Sequence, residues 1–292
     1  MEIILSSVLW FALFGGLFGI ALAFFSKVFY VKTDEKVEAV RANLPGANCA
    51  GCGFSSCDAC AAAIAEGKAD INACTVADDA AHAAIAEVMG LEAKKSVRMR
   101  AQVMCSGTSD LARKKYEYDG APDCISATRL SGGARECPYG CVGLGTCAAA
   151  CKFNAIHIVN GVAAIDYNSC RGCGACVKAC PKHIIDLIPF DARHWVGCRC
   201  LDRGALVRNY CDVGCIGCKI CEKNCPVGAI TVVDSVAKID YEKCTGCGLC
   251  EEKCPRKIIW SGKAQSEDGI VRGNEDLRAD FGRNTKIENE DK

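Results

Sequence analysis

The sequence predicts an α+β protein. It would have an apolar N-terminal helix long enough to cross a membrane, a small helical cysteine-rich domain, and two tandem modules of short strands and helices. Three observations predict this. Ile3 to Ser26 carries no charge, 26 of the 292 residues are cysteine, and eight of those cysteines recur as eight more at a fixed offset of 74 residues.

The apolar run would extend about 36 Å as a helix at about 1.5 Å per residue, enough for a hydrocarbon core of about 30 Å. A cleaved leader is the rival reading, because Ala21–Ala23 reads A-L-A. Only Glu2 precedes the run and no basic segment opens it, which favours a retained anchor. Trp10 lies within the run, and Phe24, Phe25, Phe29 and Tyr30 stand near its end, as aromatics at a membrane interface do. Lys27, Lys32 and Lys36 follow. They place the bulk of the chain on the cytoplasmic side of the inner membrane as a single-pass protein, and that compartment is reducing. Gly15 and Gly19 form a G-x-x-x-G.

Composition excludes several classes. The 35 basic residues balance 35 acidic ones, so there is no electrostatic case for nucleic-acid binding. Four histidines, none at finger spacing with cysteine, argue against zinc fingers. No G-x-G-x-x-G follows a strand and no P-loop is present, so nucleotide chemistry on this chain is unsupported. The cysteine density fits either a disulfide scaffold in a secreted protein or metal ligation in a reducing compartment, and spacing must decide.

In "LPGANCAGCGFSSC", Cys49, Cys52 and Cys57 are spaced C-x2-C-x4-C, and Cys74 follows after sixteen residues. Gly46, Gly51 and Gly53 allow the backbone to wrap an inorganic core. Four thiolates around such a loop suit a 4Fe–4S cluster, with a zinc ion on the same four as the alternative. A helix is expected after Ser55 or Ser56 as N-cap, stopping at Gly67, and a second one over 78–90. Cys60 is expected to be an ordinary buried thiol, and His82 a surface residue.

The repeat is gapless. Cys137, Cys141, Cys147, Cys151, Cys170, Cys173, Cys176 and Cys180 map onto Cys211, Cys215, Cys221, Cys225, Cys244, Cys247, Cys250 and Cys254. The second copy reads C-x2-C-x2-C-x3-C-P twice, the pattern of two-cluster ferredoxins, whose fourth cysteine serves the other cluster. One cluster is therefore expected on Cys215, Cys218, Cys221 and Cys254, and its neighbour on Cys244, Cys247, Cys250 and Cys225. Asn160–Gly161 marks a two-residue hairpin turn in the first copy. There, Leu144 stands where Cys218 would be. Cys137 is expected to replace the missing ligand, giving Cys137, Cys141, Cys147 and Cys180 for one cluster and Cys170, Cys173, Cys176 and Cys151 for the other. A three-iron cluster on Cys141, Cys147 and Cys180 is the alternative. The total is five 4Fe–4S clusters. A sixth on Cys105, Cys124 and Cys211 with Cys198 (or Cys200) stands against scattered buried thiols.

The expected divisions are 1–30 for the anchor, 34–92 for the helical 4Fe–4S domain and 93–136 for a linker region. The first two-cluster ferredoxin-like module follows at 137–190, a connecting segment at 191–210, the second module at 211–261, and a charged, disordered tail at 262–292.

The order of anchor, "LPGANCAGCGFSSC", "CPYGCVGLGTC" and "CRGCGACVKACP" resembles the B subunit of the Rnf complex, the membrane-bound ferredoxin:NAD+ oxidoreductase that translocates Na+ or H+. The likeness covers about residues 1–260. The doubled second module is similar to the longer, polyferredoxin-type versions of that family. The resemblance implies an electron carrier without catalytic residues of its own, acting as part of a translocase. Its implied partners are soluble ferredoxin, the subunit that carries flavin and NADH chemistry, and multi-span membrane subunits. A membrane-tethered polyferredoxin of another redox system, such as a hydrogenase or a sensor-reducing complex, is the alternative.

Overall fold

The computed structural model describes residues 2–28, 34–92 and 97–262. The expected tail beyond residue 262, and Phe29, Tyr30 and Lys32, lie outside them. The first helix, α1 (Glu2–Val28), carries Lys27 in its last turn. Among the described residues it is the one helix long and apolar enough to cross a membrane, and its Trp10–Lys27 window is not buried against the rest of the protein.

Three short helices form the next unit, α2 (Glu35–Ala42), α3 (Cys57–Ala65) and α4 (Asp79–Met89). Side-chain caps start each one: Asp34 accepts from the Lys36 N–H, Ser56 from Ala59 and Asp78 from Ala81. An N-cap of this type is worth about 1 kcal/mol. Gly90, left-handed at φ 67°, closes α4. The helices bury Val40, Ala61, Ile64 and Ile85 against one another, and Cys57, Cys60 and Cys74 sit in the same core. His82 is not at the surface as expected. It is buried in this core, with its Nε2 at 3.0 Å from the Cys74 carbonyl oxygen.

Each repeat then builds a β-hairpin flanked by single-turn helices. In the first copy, α6 (Thr146–Ala149) leads to the pair β2 (Ile156–Val159) and β3 (Val162–Ile165), followed by α7 (Ala175–Ala179) and β4 (Ile185–Pro189). In the second, the counterparts are α9 (Ile220–Lys223), β6 (Ile230–Val233), β7 (Val236–Ile239), α10 (Leu249–Glu252) and β8 (Ile259–Ser261). The hairpins share one register, Val159 opposite Val162 and Val233 opposite Val236. Both central residues of each turn have positive φ, Asn160 and Gly161 in one, Asp234 and Ser235 in the other. That conformation matches the twist of the flanking strands.

The stretches expected to act as linkers are part of the repeats instead. β1 (Met99–Val103), from the 93–136 segment, pairs antiparallel with β4. β5 (His194–Val196), from the 191–210 segment, pairs in the same way with β8. Both segments also hold a helix, α5 (Cys124–Arg129) and α8 (Gly204–Tyr210). The first repeat's core of Ile156, Val162, Ile165, Tyr167, Ile184, Ile185 and Trp195 continues onto β1 through Ala101 and Val103. Arg100 on β1 is fully buried. It donates to the carbonyls of Phe190 and Ala192 and to Gln102 Oε1, and it stacks over the Tyr167 and Trp195 rings. A charge can be buried there because every side of the guanidinium meets an acceptor or a ring face.

Candidate metal centres

All 26 cysteines are free thiols, so the disulfide reading has no support in the structure. They gather into groups. Cys176 lies within electrostatic reach of Cys170, Cys173 and Cys151, and burial, then these neighbours, push its thiol up to about 12. Cys221 is pushed up to about 12 in the same way, by burial first and then by Cys215, Cys254 and Cys218. Cys225, Cys244, Cys247 and Cys250 line one cavity of about 350 Å³ beneath Ala229 and Ile230. In the helical unit, burial raises Cys74, with Cys52 and Cys49 adding to it. Cys60 is 1 % exposed and bonds to Cys52, so it packs beside that group.

The first repeat departs from expectation. A cavity of about 360 Å³ is lined by Cys141, Cys147 and Cys180, but the fourth cysteine on its wall is Cys124, not Cys137. Two local contacts put it there. Asp123 caps α5 by accepting from the Ile125 and Ser126 N–H groups, and the Cys124 N–H donates to Thr146 Oγ1 at 2.7 Å. The start of α5 is thereby held against the start of α6, one residue before Cys147. Burial, then Cys141, Cys124 and Cys180, push Cys147 up to about 12. Cys137 faces a second cavity, of about 440 Å³, together with Cys105, Cys198, Cys200 and Cys211. Hence Cys124 does not stand with Cys105 and Cys211, as the expected sixth set required.

These rings fit iron–sulfur clusters by their own chemistry. Cys74, Cys147, Cys176 and Cys221 are buried where an uncompensated thiolate is costly, as their raised thiols show, and a cationic iron core removes that penalty. Backbone N–H groups are aimed at sulfur: Ala155 at Cys151 (3.4 Å), Ala229 at Cys225 (3.2 Å) and Ala101 at Cys170 (3.4 Å). Cys225 feels burial most, yet the N–H groups of Val227, Ala229, Ile230 and Gly228 hold it below the ordinary thiol value. Glycines keep the loops tight. A Cβ on Gly143 (φ 82°) would collide with the Gly161 carbonyl, and one on Gly172 (φ 65°) with that of Met99. Among the described residues no group of three or more His, Cys, Asp or Glu is placed to hold a single metal ion.

The groups also follow one another through the molecule. Gly51 packs on the Cys173 backbone, and Lys152 Nζ donates to the Asn48 carbonyl. The helical unit is thereby held against the second cysteine group of the first repeat. Successive groups of four cysteines on small scaffolds define an iron–sulfur electron carrier.

Comparison with known proteins leads to the same class. Residues 44–76 match a family model for an Fe-S cluster, 163–186 one for a 4Fe-4S binding domain, and 214–258 one for a 4Fe-4S dicluster domain. The chain is 46% identical over 231 residues to the B subunit of the Na(+)-translocating ferredoxin:NAD(+) oxidoreductase complex of Acetobacterium woodii, covering 79% of this chain and 69% of that protein. It is 40% identical over 243 residues to the B subunit of the ion-translocating oxidoreductase complex of Methanosarcina acetivorans, covering 83% and 92%. It is 37% identical over 228 residues to the B subunit of the proton-translocating ferredoxin:NAD(+) oxidoreductase complex of Clostridium ljungdahlii, covering 77% and 80%. The chain belongs to this family, the B subunits of ion-translocating (Rnf) oxidoreductase complexes, and is an iron–sulfur electron-transfer subunit.

Proposed function

We propose that this chain carries electrons between soluble ferredoxin and the other subunits of a membrane complex that couples ferredoxin:NAD+ electron transfer to Na+ or H+ translocation. Five 4Fe–4S clusters would be held by five cysteine sets. These are Cys49, Cys52, Cys57 and Cys74; Cys151, Cys170, Cys173 and Cys176; Cys124, Cys141, Cys147 and Cys180; Cys215, Cys218, Cys221 and Cys254; and Cys225, Cys244, Cys247 and Cys250. The helix α1 would cross the membrane once, with Lys27 at its cytoplasmic end and the cysteine sets on that side.

Each cluster supplies a one-electron redox centre. The chain's own residues do the rest. Cysteine Sγ atoms fix the centres in order along the molecule. The N–H groups of Ala101, Ala155 and Ala229 offset negative charge at sulfur, and apolar walls such as Ile158, Ile184 and Ile185 exclude water. Cys218 and Cys247 are exposed, whereas the cysteines of the first repeat are buried or half-buried. The second repeat is therefore the better end for a soluble partner to approach. Hairpins, loops and anchor leave the nucleotide and ion-moving steps to other subunits.

The observation that carries this reading is the contact of Gly51 with Cys173, because it joins the helical unit and the first repeat into one row. Affinity purification of the chain from native membranes, with EPR of the dithionite-reduced sample, tests it. Co-purification of NADH-oxidising and multi-span subunits with 4Fe–4S signals is expected. A colourless protein, or one that purifies without such subunits, would overturn it.

A further inference from the structure

Between the two repeats lies the cavity walled by Cys105, Cys137, Cys198, Cys200 and Cys211, none of which the five sets above use. The geometry points to a sixth 4Fe–4S site here, ligated by Cys105, Cys137, Cys198 and Cys211, which relays electrons from one repeat to the other. It rests on the five-cluster reading and adds the link that this reading lacks.

Internal symmetry selects the four. Cys137 and Cys211 are counterparts at the 74-residue offset, yet both face this single cavity. Cys105 and Cys198 are counterparts through their strands. Val103 pairs with Ile185 and Val196 with Ile259, and Ile185 and Ile259 are themselves separated by the same offset. Each cysteine lies two residues beyond its valine, in V-M-C and V-G-C. The two also make the same hydrogen bond. Cys105 Sγ accepts the Cys141 N–H at 3.4 Å, and Cys198 Sγ accepts the N–H of Cys215, the counterpart of Cys141. The walls repeat as well, with Tyr139 and Gly140 on one side and Val213 and Gly214 on the other.

Cys200 is the cysteine without a counterpart. Two residues beyond Cys105 the equivalent position is Gly107, and a Cβ there would stand 3.2 Å from Cys211 Sγ. Cys200 instead forms a side-chain hydrogen bond with Cys137, so it supports a ligand without being one. The pocket is also braced by three arginines. Buried Arg135 donates to the carbonyls of Gly107, Thr108 and Gly161. Arg113 donates to those of Arg208 and Asn209, and Arg256 to those of Cys211 and Gly214. The segments 107–108, 161 and 208–214 are thereby tied around one space.

Transfer of a preformed cluster from a thiolate donor forms four Fe–Sγ bonds and breaks the four Fe–S bonds to the donor, whose departing thiolates take up the four thiol protons. In relay, one electron enters from one repeat and one leaves to the other, so the site returns to its starting state. The two N–H···S bonds give the route its ends, at Cys141 in the first repeat and Cys215 in the second.

The test uses the full chain, purified in detergent and reconstituted anaerobically with iron and sulfide. Wild type is expected to hold about 24 Fe per chain, and Cys105→Ala and Cys198→Ala about 20 each, with the remaining EPR signals kept. Cys200→Ser is expected to stay at about 24. A wild-type count of about 20, or iron lost on changing Cys200 but not Cys198, would overturn the site. Should the alanine variants lose their fold, iron-edge anomalous scattering from wild-type crystals decides, since iron density is either in this cavity or not. Failure of the five-cluster reading would look different, as a wild-type count well below about 20.

Discussion

Gly51 meets Cys173 so closely that a Cβ built on it would stand 2.7 Å from the Cys173 carbonyl oxygen and 3.1 Å from its Cβ. No side chain fits between the helical unit and the first repeat at this point. Gly51→Val is expected to push the two apart without touching a cysteine. Iron content should stay at the wild-type level, while magnetic coupling between the two adjacent reduced clusters weakens in EPR. Unchanged coupling would mean that electrons pass between these units elsewhere.

The place of Cys124 on the wall of the first repeat's cavity leads to a rescue experiment. Cys124→Ala should cost about four Fe from the first repeat. Adding Leu144→Cys, which restores the position that Cys218 holds in the second copy, should return them. Iron analysis of the single and double variants reads both steps. A single variant with full iron would remove Cys124 from the ligand set.

Arg100 holds β1, the Phe190–Ala192 carbonyls and two aromatic rings together from a fully buried position. Arg100→Ala removes the donor from these acceptors and should destabilise the first repeat by about 1–3 kcal/mol for each buried acceptor left unpaired. Arg100→Lys should recover only part, because an ammonium lacks the planar fork. Denaturant unfolding of the iron-loaded chain, followed by Trp195 fluorescence, measures both.

Iron removal should act unevenly. The repeats have small apolar cores in which cysteines are a large share of the buried residues, so metal binding and folding are coupled there. Treatment with oxidant and chelator should abolish the ordered hydrogen exchange of residues 97–262 and leave α1 helical in detergent. Protection that survives in the hairpins would show that the strands hold without clusters.

Much of this was legible because the repeat fixes so many positions at once. The ferredoxin spacing grouped the cysteines of the second copy, Asn160–Gly161 marked the hairpin turn, and Ser56 opened its helix. β1 and β5 escaped notice because M-R-A-Q-V and H-W-V are too short to show a period, and each finds its partner dozens of residues later. The choice of Cys124 over Cys137 also depends on tertiary contacts. Both lie upstream of Cys141, and only the Asp123 cap and the Thr146 hydroxyl draw Cys124 in. One signal was available and unused: V-x-C occurs before each repeat, at Val103–Cys105 and at Val196–Cys198, and it marks the paired cysteines of the central cavity. His82 read as polar surface, yet it is anchored inside on the Cys74 carbonyl.

The late pairing of β1 with β4 and of β5 with β8 bears on how the chain leaves the ribosome. In each repeat the first strand emerges well before its mate, and the cysteines of that repeat emerge in between. Each fold can therefore close only after its last strand has been made, when every cysteine of that repeat is already part of the chain. A chain that stops before Ile259 would leave β5 without its partner strand, an open edge beside the second repeat.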